Sequence, residues 1–157
     1  MSPVVGPIAA RVFSAMAISG GLMGALAGCS DDGVVSENGV TLLTTDQGLP
    51  YGDDEKSFQI SGLNEEGCIT ATVAGGVVDR AEPAVLVTSP GASVSGGPDD
   101  FTITLAGGEV VAKGERIEGG GAAFNAGLDT TEGKADGLFA TVNATCGSAE
   151  FVYLHGR

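Results

Sequence analysis

Three cysteines and a single histidine are the side chains of this sequence best suited to covalent or metal chemistry. Cys29 directly follows an apolar segment, whereas Cys68 and Cys146 stand far apart in the rest of the chain. Zinc sites and redox-active thiol pairs need closely spaced cysteines or several histidines, and here there is no Cys-x-x-Cys and only His155. The spacing therefore argues against a metal centre or a catalytic thiol. Two other uses of cysteine remain, lipid attachment and a disulfide.

The residues before Cys29 predict an export signal. The stretch from Val12 to Ala27 carries no charge, is mostly apolar and follows Arg11. A membrane-spanning helix needs about 20 apolar residues, and this stretch is shorter than that. Its length and position at the N-terminus fit a secretory signal better.

The end of this segment, Leu26-Ala27-Gly28-Cys29, resembles the lipobox of bacterial lipoproteins. In that family an aliphatic residue and two small residues precede a cysteine that receives a diacylglyceryl group. The resemblance implies a signal peptide over residues 1–28 and cleavage before Cys29. It also implies that acyl chains such as palmitate anchor the exported domain to the outer face of the cytoplasmic membrane, since several chains on one residue hold a protein firmly at a bilayer.

Lipidation of Cys29 would leave Cys68 and Cys146 as a pair with only one connectivity. Exported proteins occupy compartments in which disulfides persist. A bridge between these residues would close a long loop and stabilise the fold by about 4–5 kcal/mol in the chain-entropy description. We therefore predict a Cys68–Cys146 disulfide.

The chain after Cys29 predicts strands and turns. Apolar and polar residues alternate with period two, which is typical of half-buried antiparallel strands, and no long amphipathic helix is expected. Glycine pairs and the Gly119-Gly120-Gly121 run indicate turns. The pattern predicts an all-β fold, a small antiparallel two-sheet sandwich or flattened barrel. The predicted strands lie at 58–60, 68–73, 84–88, 101–105, 110–112, 116–117, 138–146 and 151–154.

A domain boundary is expected near residue 58. Ser30 to Asn38 hold few apolar residues and predict an acidic tether, and Val40, Leu42 and Leu43 predict at most a short edge strand. Residues 29–57 are therefore interpreted as the lipidated cysteine with its tether. Residues 58–157 are interpreted as the β-sandwich domain.

The second half of the chain resembles the actinobacterial LpqH-type lipoprotein antigens. The residues that carry the resemblance are Arg116-Ile117-Glu118-Gly119, Gly127, Asp129 and the run from Phe139 to Cys146. Cys29, Cys68 and Cys146 match a lipobox followed by one early and one late cysteine. The resemblance implies a small β-rich surface antigen tethered in the cell envelope. This chain departs from the family in lacking a long Ser/Thr/Pro-rich tether.

The charge balance excludes one class of partner. Twenty acidic residues against seven basic residues give a formal net charge of −13. Nucleic-acid affinity comes mainly from Lys and Arg that neutralise phosphates. We therefore expect no nucleic-acid partner.

The acidic clusters favour exposed turns over a catalytic or metal site. Neighbouring residues on a strand point to opposite faces, and no cluster has the spacing of a calcium-binding loop. A histidine-based nucleophile would need His155 beside a serine and an acid, and the sequence has no Gly-x-Ser-x-Gly motif. We expect no enzyme and no cofactor. The clusters are Asp53-Asp54-Glu55, Glu65-Glu66 and Asp99-Asp100.

Three hypotheses for function follow. The first is a structural or interaction module of the envelope, with an envelope protein as partner and with Phe139, Thr141 or Tyr153 as exposed contacts. The second is a carrier of a small or apolar ligand held between the sheets. The third, given least weight, is a hydrolase or an inhibitor of one. The carrier would need a cavity lined by Phe101, Ile103, Val142 and Leu154.

Overall fold

The computed structural model describes residues 32–50, 54–74, 80–125 and 135–155. Within these ranges the chain forms ten strands and one helix. In chain order they are β1 (Asp32–Glu37), β2 (Val40–Thr45), β3 (Lys56–Leu63), β4 (Ile69–Ala74), β5 (Arg80–Thr88), β6 (Ser93–Ser95), β7 (Thr102–Thr104), β8 (Val110–Ala112), β9 (Arg116–Asn125), α1 (Asp136–Cys146) and β10 (Glu150–His155).

Two sheets make up the fold, which confirms the predicted all-β architecture. Seven strands form a large sheet in the order β1-β2-β5-β10-β9-β3-β4, and a further pairing of β4 with β5 closes its last five strands into a ring. Strands β6, β7 and β8 form a small antiparallel sheet. Most pairs are antiparallel as expected, but β5 pairs in parallel with both β2 and β10. Parallel neighbours need a long crossover, and the elements from β6 to α1 supply it between β5 and β10.

The large sheet buries side chains on both of its faces. The face toward the small sheet forms the inner core, which includes Phe58, Ile60, Leu86, Phe101, Ile103, Val152 and Leu154. The face toward α1 forms the outer core, which includes Leu43, Val87, Phe124, Leu138, Val142, Phe151 and Tyr153. β10 contributes to both cores, because successive side chains of a strand point to opposite faces.

Strand β4 shows how the sequence alternation locates the disulfide. Ile69, Ala71 and Val73 all belong to the inner core, as the period-two pattern predicts. Cys68 precedes them by one position and belongs to the outer core, where Cys146 of α1 also lies. The two cysteines form the predicted disulfide, with Cα atoms 5.7 Å apart, a separation in the usual range. The bridge therefore fastens α1 to the outside of the ring.

The strand predicted over residues 138–146 is wrong, because this segment is α1. Leu138, Val142 and Cys146 follow one another at intervals of four residues, and this spacing places their side chains on one face of a helix. All three are buried against the sheet. The helix ends at Gly147, whose N–H donates a hydrogen bond to the Asn143 carbonyl oxygen.

The prediction of an acidic tether over Ser30–Asn38 is also wrong from residue 32 onward. β1 pairs along its whole length with β2 in an antiparallel hairpin, and β2 lies between β1 and β5 instead of at an edge. The hairpin turns at Asn38 and Gly39, which both have positive φ angles, as a two-residue turn of this kind requires. The folded domain therefore begins by residue 32 and not near residue 58.

The run Gly119-Gly120-Gly121 lies inside β9 and does not form the predicted turn. A Cβ atom at Gly121 would overlap the Tyr153 carbonyl oxygen and lie 2.7 Å from Cζ of Phe58. The glycines are needed because the neighbouring chain and the inner core approach β9 closely. The predicted turns at Gly96-Gly97 and Gly107-Gly108 are confirmed, and Gly75-Gly76 lies outside the described residues.

Candidate functional site

Three parallel strands, β2, β5 and β10, end together at one edge of the large sheet. Val87 of β5 is in register with Leu43 of β2 and with Tyr153 of β10. Since residues two apart share a face of a strand, the next positions on the α1 side are Thr45, Ser89 and His155. These three residues form the polar row. His155 pairs with Gly120 on β9, so no side chain continues the row there.

Ser89, Tyr153 and His155 form a hydroxyl–imidazole cluster at the centre of this edge. The Ser89 Oγ lies 3.2 Å from the His155 Nδ1, and the Tyr153 hydroxyl lies 3.2 Å from the same nitrogen. The two hydroxyl oxygens are 3.3 Å apart. Tyr153 is buried, Ser89 is half-buried and His155 is exposed. The cluster therefore runs from the outer core to the surface.

The cluster can offer both donors and acceptors to a ligand. Each hydroxyl can donate one hydrogen bond and accept others, and a neutral imidazole nitrogen can accept or donate according to its tautomer. The arrangement differs from a Ser–His–Asp triad, in which a carboxylate orients the histidine, because the third member of this cluster is a phenol. Such a group suits recognition of carbonyl, hydroxyl or phosphate oxygens.

The segment after β2 joins the polar row to the start of α1. Thr45 is fully buried, and its Oγ1 accepts a hydrogen bond of 3.1 Å from the Gln47 backbone N–H. The Gln47 side-chain nitrogen lies 3.9 Å from the position that a Cβ atom on Gly137 would take. Leu49 then enters the outer core. The row is therefore bordered by the first turn of the helix.

The side chain of Asn64 makes polar contacts at the disulfide. The Asn64 side-chain amide donates to the Cys146 carbonyl oxygen at 2.9 Å, and its Oδ1 accepts from the Cys68 N–H at 2.9 Å. One side chain thus bonds to the backbones of both bridged cysteines. This junction is structural, because the sulfur atoms are already paired with each other.

The structure does not expose the predicted contact residues as expected. Tyr153 is buried in the outer core, because β10 has neighbours on both sides and α1 on its outer face. Phe139 is half-buried and stacks at a tilt on Phe151, with ring centroids 5.0 Å apart. The Thr141 hydroxyl donates to the Gly137 carbonyl oxygen within α1. Neither residue of α1 is a freely exposed contact.

The predicted cavity lining is divided between the two cores. Phe101, Ile103 and Leu154 belong to the inner core, whereas Val142 lies on α1 in the outer core. The wall of the large sheet stands between Val142 and the other three. These four residues therefore do not line one cavity.

The acidic clusters lie at the surface wherever the structure describes them. Asp54, Glu55, Glu65, Glu66, Asp99 and Asp100 are exposed. The described part of the chain contains no group of three or more His, Cys, Asp or Glu side chains that could hold a metal ion. Among the same residues, no helix is long and apolar enough to cross a membrane.

Sequence reasoning missed Ser89 and with it the cluster. Ser89 and His155 are far apart in the chain and meet only through the parallel register of β5 and β10. The lipobox residues Leu26, Ala27, Gly28 and Cys29 lie outside the described residues. No protein-family model, no curated protein and no solved structure shows a significant match to this chain.

Proposed function

We propose that this protein is a lipid-anchored lipoprotein of the bacterial cell envelope that acts as a binding module at the outer face of the cytoplasmic membrane. The observation that carries the proposal is the division of its three cysteines. Cys68 and Cys146 are bonded to each other. This bridge does not involve Cys29, which ends the lipobox-like run that begins at Leu26, and we assign Cys29 to lipid attachment.

The position of the fold along the chain supports the same proposal. The described strands and both described cores are formed by residues from Asp32 onward, and the apolar run before Cys29 precedes them in the sequence. A segment of this kind fits a removable export signal. The LpqH-type resemblance adds the expectation of a small β-rich domain at the cell surface, and the two-sheet fold is compatible with it.

The binding surface of such a module belongs on the outer side of the ring. The inner core is filled with apolar side chains from both sheets, which leaves few polar groups there to recognise a partner. The outer side carries the polar row and the exposed positions of α1. The edge at Ser89 and His155 is the part of this side that combines exposure with convergent hydrogen-bonding groups.

Membrane fractionation of the full chain tests the anchor. The wild-type protein, the Cys29→Ser variant and the matched Ser30→Ala variant are expressed in a bacterial host, and washed membranes are extracted with detergent. We expect the wild type and Ser30→Ala to stay with the membrane until detergent is added, and Cys29→Ser to lose that association. Equal membrane association of all three proteins would count against lipidation at Cys29.

A second candidate function, an envelope esterase, is favoured by the Ser89–His155 contact. In such an enzyme the Ser89 Oγ would attack an ester carbonyl and pass its proton to the His155 Nδ1, and water would later release the acyl group. A fluorophosphonate probe applied to the full chain tests this reaction. Labelling that disappears in Ser89→Ala would support it, and an unlabelled wild-type protein would argue for a binding role alone.

A further inference from the structure

The point of attachment limits which part of the domain can face the membrane. Only two residues separate Cys29 from Asp32, the first residue of β1. Three residue steps of chain span at most about 10 Å. An anchor at Cys29 therefore holds the start of β1 within that distance of the lipid headgroups, and the domain has no long tether on which to stand away.

The strand register shows what lies beside the start of β1. Asp32 pairs with Thr45, at the end of β2. Thr88 of β5 pairs with Thr44 of β2 on one side and with Leu154 of β10 on the other. Neighbouring strands lie about 4.8 Å apart, so the polar row extends roughly 15 Å sideways from Asp32. The start of β1, next to the proposed anchor, and the hydroxyl–imidazole cluster thus lie at the same edge of the sheet.

The other end of the β1–β2 hairpin points away from this edge. β1 rises about 3.3 Å per residue, which places Asn38 of the turn roughly 20 Å from Asp32. The Asn38 side-chain amide donates to the Gly96 carbonyl oxygen at 3.4 Å, so the turn that carries Asp99 and Asp100 lies at this far end. Acidic residues occur at both ends, including the exposed Asp46 near the row, so charge does not distinguish the two ends. The short link between Cys29 and β1 therefore determines which end faces the membrane.

We infer that the end of the polar row formed by Ser89 and His155 is the membrane-facing surface of the anchored protein and that its partner is the headgroup layer of the bilayer. This inference rests on the proposed lipidation of Cys29. The half-buried Ser89 hydroxyl and the exposed His155 imidazole match the phosphate and ester oxygens of that layer. The turn at residues 96–100 faces outward from the membrane.

Depth-dependent quenching tests the orientation in the full, lipidated chain. A fluorophore is attached to Gly48→Cys near the row or, as a matched control, to Asp99→Cys in the far turn. Gly48 is suited to this because nothing lies within 4 Å of an added Cβ atom, and Asp99 is exposed. Pro50→Cys, also exposed, is a second probe near the row if Gly48→Cys folds poorly. Each protein is reconstituted in phosphatidylcholine vesicles that contain a headgroup-linked nitroxide.

We expect severalfold stronger quenching at residue 48 or 50 than at residue 99. Peptide mass spectrometry of the same samples reports the lipid on Cys29 and the intact Cys68–Cys146 bridge. Lipid on Cys29 with equal or reversed quenching would overturn the inferred orientation and leave the proposed function standing. An unmodified Cys29 would overturn the proposed function and the orientation together.

Discussion

The two faces of β10 differ in the side chains that surround them. Val152 and Leu154 point into the inner core, where side chains from both sheets are apolar. Phe151 and Tyr153 point to the outer core, which also holds the disulfide, an aromatic stack and a hydroxyl–imidazole cluster. The inner face supplies burial alone. Groups that can bond to a partner lie on the outer face, beside the disulfide that fastens α1 there.

Removal of the disulfide should give the largest effect and loosen the outer face first. We expect the Cys68→Ala/Cys146→Ala double variant to lose about 4 kcal/mol of unfolding free energy, because the unfolded chain gains the freedom of a long open loop. Urea denaturation of the full chain measures this loss. Cys29→Ser is the matched control and should unfold like the wild type. A loss below about 1 kcal/mol would mean that packing of α1 does not depend on the bridge.

A methyl group at Gly121 tests the inner face. Gly121→Ala should destabilise the fold by about 3 kcal/mol, because the added carbon overlaps the Tyr153 carbonyl oxygen and crowds Phe58 in a packed core. Thermal or urea unfolding measures the change. Gly48→Ala, where an added carbon meets nothing within 4 Å, should shift stability by less than about 1 kcal/mol. Equal effects of the two substitutions would contradict the close approach of β9 and β10.

Loss of the Asn64 side chain should weaken the outer face through its backbone contacts. Asn64→Ala removes hydrogen bonds to both Cys68 and Cys146, and we expect a loss of about 2 kcal/mol, since each is worth roughly 1 kcal/mol. Asn64→Asp keeps the acceptor but sets a carboxylate oxygen against the Cys146 carbonyl oxygen, so its loss should be at least as large. If both variants unfold like the wild type in urea, the junction does not hold the helix.

The hydroxyl–imidazole cluster should contribute least to stability if its role is recognition. Tyr153→Phe and Ser89→Ala each remove one hydroxyl and keep the packing, and each should cost less than about 1 kcal/mol. Their effects should not add, because the two hydroxyls share His155 Nδ1 and neighbours couple. A double-mutant cycle in urea measures this. Losses above about 2 kcal/mol for either residue would assign the cluster to the core of the fold.

Local patterns in the sequence were enough to predict much of the inner face. The alternation around Ile69–Val73 and Phe101–Leu105 encodes which side chains point inward, and both were predicted correctly. The sequence does not predict the β1–β2 hairpin, although Asn38-Gly39 is a strong turn signal, because the acidic and serine residues of β1 are also typical of a tether. The glycine run of β9 predicts a turn from sequence, since only the folded chain reveals the crowding at Gly121.

The outer face was harder to predict because tertiary contacts define it. The residues Leu138–Cys146 fit both a strand and a helix, and packing on the outer core decides for α1. The candidate site depends on the parallel register of β5 and β10, which no local pattern encodes. Cys68 shows the contrast most clearly, since it directly precedes the inward-facing Ile69, and its partner Cys146 comes from α1.

The peptide masses of the protein purified from its native membranes test the central claim most directly. If the protein is a disulfide-bridged domain anchored at the bilayer through Cys29, the N-terminal peptide begins at Cys29 and carries acyl mass. The Cys68 and Cys146 peptides are then recovered joined by a disulfide. Recovery of an uncleaved N-terminus with an unmodified Cys29, or of Cys29 bonded to either other cysteine, would contradict the division of the cysteines on which the proposal rests.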